Sequence, residues 1–495
     1  MIRRFILRSI LLAPLAAGFA ACTGTPGATP VDTTVGVLGQ ELDEANIVEE
    51  PMCTGSKWRC HAYRRVDRTT HAIAPHAGSL GATDLQSAYA IDKTWNSGLT
   101  IGITDAFNYP SAESDLATYR QMYGLPPCTV ASGCLTIVNQ DGKTSPMPPN
   151  APANDDWTGE TALDLDMASA ACPNCKIVLV LTNSDMDNGL LLAQETAAKL
   201  GAAVISNSWG GPEDGTESTQ EMYFNTSTKA AIFVASGDAG YNDGGQGPDY
   251  PATSAYAIGV GGTTLSKVAS GSRAWTEKAW SSGGSACSKS IPKPSFQTDA
   301  SCTFRMSSDV SGAASNILTI HNGGQEPVAG TSCASPLVAG IFAATGHGFT
   351  DAAWVYKNAT GFFDITSGTN GTCGTTLCKA GTGWDGPTGN GTPNAAVLKT
   401  LPPSGNTPPD MATPPDMAQP PAPDLATGGE GGGDGTGGGG GTGTGGNSGS
   451  GGNGNNGGGG SSGCSMGGGS TAAGAGWVLL VFFGGWLATR RRPRA

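Results

Sequence analysis

Ser332 lies in a segment that is typical of a nucleophilic serine. Residues 329–340 read AGTSCASPLVAG, so this serine precedes a run of small and apolar residues that predicts a buried helix. A serine hydroxyl is a poor nucleophile until a base takes its proton. The sequence must therefore supply a base for Ser332 from elsewhere. We interpret Cys333, the next residue, as a small buried side chain rather than as a second nucleophile.

Histidine is the usual base for such a serine. The chain has five histidines: His61, His71, His76, His321 and His347. Three precede the first apolar strand, one lies in a Gly-Asn-rich loop before the serine, and one follows the serine helix. None lies in a helix start after an early core strand, where a subtilisin-type enzyme carries its base. A histidine base is therefore disfavoured, and the alternative of a neutral hydrolase using His321 or His347 stays open.

Two carboxyl groups occupy that helix position instead. The segment GETALDLDMASA places Glu160 and Asp164 four residues apart on one helix face, whereas Asp166 is rotated away. Because neighbouring carboxylates repel, one of them keeps its proton more tightly and can act as a base and then as an acid in acidic solution. The alternative is a pair of solvated acids that the helix dipole favours.

Two further aspartates end apolar strands. Asp105 ends the strand in LTIGITDAF, and Asp238 lies in the glycine-rich end of AAIFVASGDAG. A protonated Asp238 can stabilise an oxyanion, and the alternative is an aspartate that caps a turn. Asp105 either extends the carboxyl network behind Glu160 or caps its own loop.

The elements that must position these residues alternate along the chain. Apolar strand patterns such as KIVLVLTN (176–183) and AAVISNSWG (202–210) are separated by helical patterns such as AESDLATYRQMYG (112–124). This order predicts an α/β fold with a mostly parallel central sheet and helices on both faces. Ligands of such sheets bind beyond the carboxyl ends of the strands, where Asp105, Trp209 and Asp238 lie.

The chain outside this region predicts export and attachment. Residues 1–22 read as a signal peptide, in which Cys22 is either a lipoprotein cysteine or part of a plain cleavage site. Residues 23–79 read as a short N-terminal pro-region or irregular segment, and 80–401 as the folded domain. Residues 402–470 are Pro-rich and then Gly-rich, which predicts a disordered stalk. Residues 471–495 combine an apolar segment with an arginine cluster, which indicates a sorting signal or a permanent single-span anchor.

Charge and cysteine content agree with an exported protein. A net charge of −13 argues against nucleic acid as a partner. Ten of the thirteen cysteines form local pairs that predict disulfides in an exported chain. A redox or zinc motif is the alternative for Cys172 and Cys175, but no second CxxC or histidine pair completes a zinc site. The five pairs are Cys53 and Cys60, Cys128 and Cys134, Cys172 and Cys175, Cys287 and Cys302, and Cys373 and Cys378.

Two families share motifs with this chain. The combination GETALD, SGDAG and GTSCASP, with the flanking strings ISNSWG and YPATSAYAIGVGGT, resembles the sedolisin family of serine-carboxyl peptidases over residues 80–400. The segment SGCSMGGGS with the apolar and arginine-rich end resembles the C-terminal sorting tails of myxobacterial surface proteins, which implies processing near Cys464. The first resemblance implies a subtilisin-like fold and hydrolysis of peptide bonds in acid through a Ser-Glu-Asp triad.

The sedolisin resemblance also implies roles for individual residues. Ser332 would be the nucleophile, Glu160 its general base and then acid, and Asp164 the residue that orients Glu160. Asp238 would contact the oxyanion together with the backbone N–H of Ser332, and Asp105 would support Glu160 from behind. Members of the family usually carry a long folded propeptide, which this chain lacks because only residues 23–79 separate Cys22 from the domain.

A calcium ion and a substrate cleft complete the expectations. The segments FFDITSG (362–368) and KAGTGWDGPTGNGTP (379–393) resemble the family's calcium site, whose ligands here would be Asp364, Asp385 and the backbone carbonyls of Ile365, Gly381 and Gly383. The cleft residues would be Trp209, Ser281, Ser282, Gly283 and Gly284.

We expect a secreted, surface-attached endopeptidase that acts on polypeptide substrates, with a monomeric catalytic domain and attachment to the membrane or cell surface through its termini. The alternatives are a neutral subtilisin-like protease and an inactive protease-like binding module.

Overall fold

The computed structural model describes residues 46–55, 57–269 and 273–404. The predicted signal peptide, nearly all of the stalk, the C-terminal segment and the proposed processing residues Cys22 and Cys464 lie outside these ranges. Among the described residues, no helix is both long and apolar enough to cross a bilayer.

The described chain forms short and long strands interspersed with helices. The strands are β1 Ile47–Pro51, β2 Arg59–Cys60, β3 Tyr63–Asp67, β4 Thr100–Ala106, β5 Leu135–Asn139, β6 Lys176–Thr182, β7 Ala202–Asn207, β8 Trp209–Pro212, β9 Ala231–Ala235, β10 Asp249–Tyr250, β11 Ala257–Lys267, β12 Trp275–Ala279, β13 Cys287–Pro292, β14 Phe304–Met306, β15 Val310–Ala313, β16 Ile317–His321, β17 Gly324–Ala329, β18 Phe362–Phe363 and β19 Thr392–Pro393. The helices are α1 Ala82–Ala88, α2 Ala112–Met122, α3 Trp157–Ala171, α4 Gly189–Lys199, α5 Glu217–Phe224, α6 Thr331–Thr345, α7 Ala352–Lys357 and α8 Ala395–Leu398.

Eight strands form the central sheet. Their order is β12-β11-β9-β7-β4-β6-β5, with β15 also paired to β11. All neighbours run parallel except β12, which is antiparallel to β11. The inner strands are buried along nearly their whole length because helices cover both faces of the sheet. The predicted α/β fold with a mostly parallel sheet is therefore confirmed.

Helices α3 and α6 form the framework of the site. Asp156 caps the N-terminus of α3, where its Oδ1 accepts a hydrogen bond of 3.0 Å from the Gly159 N–H. The two helices pack so closely that a Cβ on Gly340 of α6 would lie 2.6 Å from Cβ of Ala171 on α3. Helix α3 therefore runs beside α6, and its three acidic residues, Glu160, Asp164 and Asp166, are buried.

The segment before the domain is more ordered than the sequence indicated. We refer to residues 46–67 as the N-terminal arm, of which Ser56 lies outside the described ranges. Strands β1 to β3 belong to this arm: β1 pairs with β3, β3 pairs with β17, and β2 pairs with β8. Residues 46–67 were expected to be irregular because they are polar, yet they are extended because β8 and β17 offer unpaired edges.

The five predicted disulfides all form, joining the cysteine pairs given above. The remaining described cysteine, Cys333, is free and buried, as expected of a small side chain in a helix interface.

Candidate active site

Ser332 occupies the second position of α6, immediately after β17. Gly330, the residue before α6, has a φ of 139°, a value that favours glycine, and its Cα lies close to the backbone of His61 and Ala62. A Cβ on Gly330 would lie 2.1 Å from the His61 carbonyl oxygen and 2.9 Å from Oδ2 of Asp238. This turn therefore brings the serine, a peptide carbonyl of the arm and an aspartate to one place.

Glu160 and Asp164 lie one turn apart on α3 and are completely buried, as is Asp105 at the end of β4. Burial, then the charges of Asp164 and Asp105, raises the pKa of Glu160 well above its usual range, while the nearby Ser332 hydroxyl acts in the opposite direction. Burial and then Asp105 raise the pKa of Asp164 in the same way. Burial raises the pKa of Asp105 to about 7. The three carboxyl groups form one cluster that holds protons at pH values where ordinary carboxyls have lost them.

Ser208 joins the serine to this carboxyl cluster. The Ser208 hydroxyl donates a hydrogen bond of 2.7 Å to Oδ1 of Asp164. The Ser332 hydroxyl donates one of 3.0 Å to the Ser208 carbonyl. The end of β7 thus lies between the catalytic serine and the acid on α3. We did not single out Ser208 from the sequence, although its position in ISNSWG, at the carboxyl end of a buried strand, is a signal for it.

Asp238 follows β9 and points toward the start of α6. Its Oδ1 accepts hydrogen bonds from the Thr331 backbone N–H at 2.7 Å and from the Thr331 hydroxyl at 2.8 Å. Oδ2 is buried and has no hydrogen-bond partner among the described residues. Burial raises the pKa of Asp238 to about 7, against the lowering effects of His61 and Thr331. Oδ2 and the His61 carbonyl oxygen both lie near the Cβ position of Gly330, at 2.9 Å and 2.1 Å, so a proton on Oδ2 would lie near that carbonyl.

The histidines have other contacts. His321 Nε2 lies 2.9 Å from the Thr158 hydroxyl and its Nδ1 lies 3.3 Å from Glu326. His347 contacts Thr345. Among the described residues, neither ring makes a hydrogen bond to Ser332.

The domain matches known peptidases in sequence. Residues 150–360 match the subtilase family. Kumamolisin from Bacillus sp. (strain MN-32) is 31% identical over 331 residues, which is 59% of this chain and 58% of that protein. Sedolisin from Pseudomonas sp. (strain 101) is 31% identical over 326 residues, 56% of this chain and 55% of that protein. Tripeptidyl-peptidase 1 from Homo sapiens is 30% identical over 259 residues, 43% of this chain and 45% of that protein. The chain thus spans about half the length of the curated relatives it matches.

A solved structure agrees with these matches. It is Pseudomonas sedolisin, a serine-carboxyl proteinase complexed with two molecules of pseudo-iodotyrostatin, and it aligns with a TM-score of 0.56 at 25% identity. The alignment covers 65% of this chain and 97% of that one. The domain has a subtilisin-like fold. Together the matches make the domain similar in sequence and fold to serine-carboxyl peptidases of the sedolisin type.

Four of the expected cleft residues, those at 281–284, lie beside the Asp238 turn, whereas the Trp209 side chain does not. Ser281 is exposed and Ser282 half-buried, and their segment is held against the Asp238 turn by hydrogen bonds that include Gly284 N–H to the Gly237 carbonyl at 2.6 Å. Gly283 and Gly284 are buried. Trp209 differs from the expectation, because its indole lies in the core and donates to the Thr104 carbonyl at 3.0 Å. Only the Trp209 backbone faces the cleft, where it pairs with the arm.

The predicted calcium ligands also lie together in the subtilisin-like domain. The Gly383 N–H donates to Asp364 Oδ2 at 3.0 Å, and the Gly381 N–H donates to Asp385 Oδ2 at 2.9 Å. Asp385 is fully buried, and burial raises its pKa to about 7, with a further contribution from the charge of Asp364. A buried carboxylate, Asp385, and an exposed one, Asp364, repel each other beside a glycine-containing loop, and this donor set suits a hard cation. Within the described residues, no three acidic, histidine or cysteine side chains cluster for a metal.

Proposed function

We propose that this chain is a serine-type endopeptidase that hydrolyses peptide bonds through Ser332, Glu160 and Asp164, and that it works in acid. One observation carries the proposal: Ser332 begins a buried helix beside a cluster of fully buried carboxyl groups, to which Ser208 connects it. The sequence similarity to sedolisin and kumamolisin supports the same chemistry.

In the mechanism, the ionised form of Glu160 takes the proton of the Ser332 hydroxyl as its oxygen attacks the substrate carbonyl carbon. Asp164, held by Ser208, keeps a proton and orients Glu160. The developing oxyanion accepts hydrogen bonds from the Ser332 backbone N–H and from protonated Asp238. Glu160 then returns the proton to the leaving amine, and water releases the acyl group by the same steps in reverse.

Substrates would bind as an added strand. The backbone of β8 presents hydrogen-bonding groups to the cleft, where it already pairs with β2. Main-chain pairing of this kind holds an extended polypeptide with little dependence on its side chains. Polypeptides are therefore the proposed substrates, and hydrolysis inside the chain distinguishes an endopeptidase from an enzyme that releases short peptides from a terminus.

The test is a pH–activity profile from pH 3 to 8 on denatured protein, with the products mapped by mass spectrometry. Glu160→Gln removes the base but keeps the size of the side chain, so activity should fall by roughly 10²-fold or more. Asp166→Asn is the matched control, since Asp166 is equally buried on α3 but accepts hydrogen bonds from Thr319 and Ile320. Full activity of Glu160→Gln would reject the proposed base, and loss of activity on replacing His321 or His347 would favour a neutral, histidine-dependent enzyme.

We also propose one structural calcium ion. Asp364 and Asp385 would hold it with the carbonyls of Ile365, Gly381 and Gly383, and the ion would offset the repulsion between the two carboxylates. The calcium ion would have a structural role, because it would connect the loop 379–393 to the segment after β18.

The exported location is a further proposal. Five disulfides support an oxidising compartment. Surface attachment through residues 471–495, and lipidation of Cys22, rest on the sequence alone. Fractionation of cells that express the Cys22→Ala chain, ending either at residue 495 or at residue 470, tests the C-terminal attachment, because only the chain that keeps residues 471–495 should then sediment with membranes.

A further inference from the structure

Two short segments border the position of the proposed oxyanion. Residues 237–241 form the Asp238 turn, and we call residues 281–285 the cleft wall. Gly237 and Gly240 of the turn have φ values of 104° and 74°, in the region that favours glycine. A turn with such residues on both sides of Asp238 has wide backbone freedom when it is released from its contacts. The place of the Asp238 carboxyl therefore depends on what holds the turn and the wall.

Asn370 contacts both segments from a third part of the chain, and it is only 4% exposed. Its Nδ2 donates hydrogen bonds of 2.7 Å each to the Gly283 carbonyl and to the Ser285 hydroxyl in the cleft wall. Its backbone carbonyl accepts one of 2.8 Å from the Tyr241 N–H, at the end of the Asp238 turn. A single buried residue therefore connects the turn to the wall.

The turn and the wall also contact each other directly. The Gly284 N–H donates to the Gly237 carbonyl at 2.6 Å, and the Gly240 N–H donates to the Ser282 carbonyl at 2.9 Å. A Cβ on Gly240 would lie 2.6 Å from the Asn370 carbonyl oxygen, so Asn370 packs against the turn where the turn meets the wall. Without the Asn370 side chain, the two segments would depend more on these main-chain hydrogen bonds.

The hydrogen-bond pattern determines which amide atom of Asn370 faces the wall. The Ser285 hydroxyl donates its single proton to the Leu377 carbonyl at 2.8 Å, so it can only accept from Asn370. The Gly283 carbonyl is likewise an acceptor. Nδ2 therefore supplies both protons, and Oδ1 is buried without a hydrogen-bond partner in the part of the chain that the structure describes. An aspartate at this position would supply neither proton when ionised, and one when protonated.

The loop that follows holds Asn370 itself in place. The Asn370 N–H donates to the Cys378 carbonyl at 3.1 Å, and the Cys373–Cys378 disulfide closes this loop. Thr369 pairs antiparallel with Lys379. Asn370 is therefore ordered before a substrate binds, so its two hydrogen bonds to the wall cost little additional entropy during the reaction.

We propose that Asn370 is a positioning residue of this site, which fixes the cleft wall against the Asp238 turn and thereby sets where the Asp238 carboxyl meets the oxyanion. The inference rests on the proposed peptidase function, because Asn370 would affect the reaction only through Asp238. When the Asn370 side chain is removed, Thr331 still holds Oδ1 of Asp238. A misplacement of about 1 Å can cost roughly 10²-fold in rate, and this remaining contact should limit the loss to roughly tenfold.

The first test is Asn370→Ala, which should lower kcat roughly tenfold and change KM less than about threefold, because an oxyanion contact acts in the transition state. Asn174→Ala is the matched control, since Asn174 also donates two hydrogen bonds through Nδ2, to the carbonyls of Lys93 and Trp95 at 2.9 Å each. It lies just before β6, at the edge of the sheet opposite Ser332, and should keep the wild-type kcat. An unchanged kcat of Asn370→Ala would overturn the proposal.

A double-mutant cycle tests whether Asn370 acts through Asp238. In a chain that already carries Asp238→Ala, adding Asn370→Ala should lower kcat less than about twofold, because the carboxyl that Asn370 positions is gone. A residue that only stabilises the fold would lower kcat by the same factor in both backgrounds. An equal, roughly tenfold loss with and without the Asp238 carboxyl would therefore overturn the proposal.

Asn370→Asp provides a second readout with a side chain of the same size. Its kcat should be closest to that of the wild type at the lowest pH, where the protonated carboxyl donates one hydrogen bond to the wall. The ratio to the wild-type kcat should fall as the pH rises, because the anion faces two acceptors. A ratio that stays constant from pH 3 to 8 would contradict the donor role of Nδ2.

Hydrogen exchange separates a failure of this inference from a failure of the proposed function. In the Ser332→Ala chain, adding Asn370→Ala should speed exchange of the Gly240, Tyr241 and Gly284 amides roughly tenfold. Unchanged exchange would overturn the inference whether or not the wild type cleaves peptides. Faster exchange together with an inactive wild type would reject the peptidase function, and the positioning role with it.

Discussion

At the scale of single residues, the site depends on carboxyl groups that keep protons. Glu160, Asp164 and Asp105 are buried together, and Asp238 stands apart on the other side of Ser332 with one buried, unpartnered oxygen. Desolvation is the largest cause of the raised pKa values of these residues. A carboxyl group in such surroundings acts as a hydrogen-bond donor at pH values where an exposed one is an anion.

Asp238→Asn should change the pH profile more than the peak rate. The pKa of Asp238 is about 7, so the wild-type side chain becomes an anion above this pH and repels the oxyanion. An asparagine amide stays a donor at every pH, so the variant should keep a larger fraction of its peak activity from pH 6 to 8, with a peak lowered roughly tenfold. The measurement is kcat against pH. An alkaline limb at the same pH in both chains would assign that limb to the cluster on α3 instead.

Ser208→Ala should lower kcat and leave KM nearly unchanged. The variant loses the 2.7 Å hydrogen bond to Asp164 but keeps the backbone carbonyl that Ser332 contacts. Because Asp164 keeps its proton, this is a hydrogen bond between neutral groups, which contributes about 0.5–1.5 kcal/mol, so we expect kcat to fall roughly 2- to 10-fold.

Ser206→Ala is the control for this prediction, because Ser206 lies two residues earlier, on β7, and is equally buried, but its hydroxyl contacts that of Ser335 at 2.9 Å. Steady-state kinetics on one peptide substrate distinguish the two variants. A similar fall in both would mean that the effect comes from general packing at the end of β7.

At the scale of elements, the sequence predicted what is local or periodic. The apolar runs of β4, β6 and β7 indicated buried parallel strands, and the four-residue spacing of Glu160 and Asp164 fixed their common helix face. The arm was not predictable in this way, because IVEEP and YRRVD are polar and become strands only through partners distant in sequence. The direction of the Trp209 indole was missed for a related reason, since strand periodicity does not say which face of β8 meets the core.

The loop that carries Asp385 should lose stability when calcium is removed. A ligand present at a hundred times its Kd stabilises the folded state by about 2.7 kcal/mol, so EGTA should lower the Tm measurably. Asp385→Asn should have the lower Tm without chelator and show no further decrease with it. Asp141→Asn, at an exposed site, is the control and should respond like the wild type. An unchanged Tm of the wild type in EGTA would argue against the ion.

At the scale of the whole molecule, the N-terminal and C-terminal parts of the described chain both add short strands outside the central sheet. The arm joins β8 and β17 near Ser332, and β18 and β19 pair beside the proposed calcium loop. The central sheet therefore provides a fixed frame, and the regions added at its two ends lie beside Ser332 and beside the proposed calcium loop. The frame was predicted from the sequence, and the seating of the arm required the structure.

The folded domain should be more stable in mild acid than at neutral pH. Asp105 and Asp238 have folded pKa values of about 7, well above those of exposed aspartates, so the folded state binds more protons than the unfolded state between about pH 4 and pH 7. Stability from these groups is fully present below about pH 4 and is lost as the pH rises through about 7, by up to ~1.4 kcal/mol per pH unit for each group. Carboxyls with a lowered pKa, such as Asp156, act only at lower pH, where protonation removes their contribution.

Urea unfolding of the Ser332→Ala chain at pH 4.5 and pH 7, both with saturating calcium, measures this difference without self-digestion. The free energy of unfolding should be larger at pH 4.5, and adding Asp238→Asn should make it less dependent on pH because one of the titrating groups is gone. A free energy of unfolding that rises from pH 4.5 to 7 would show that the carboxyls of the site are ionised at little cost in the folded domain. The proton-holding cluster would then be absent, and with it the physical reason for a preference for acid.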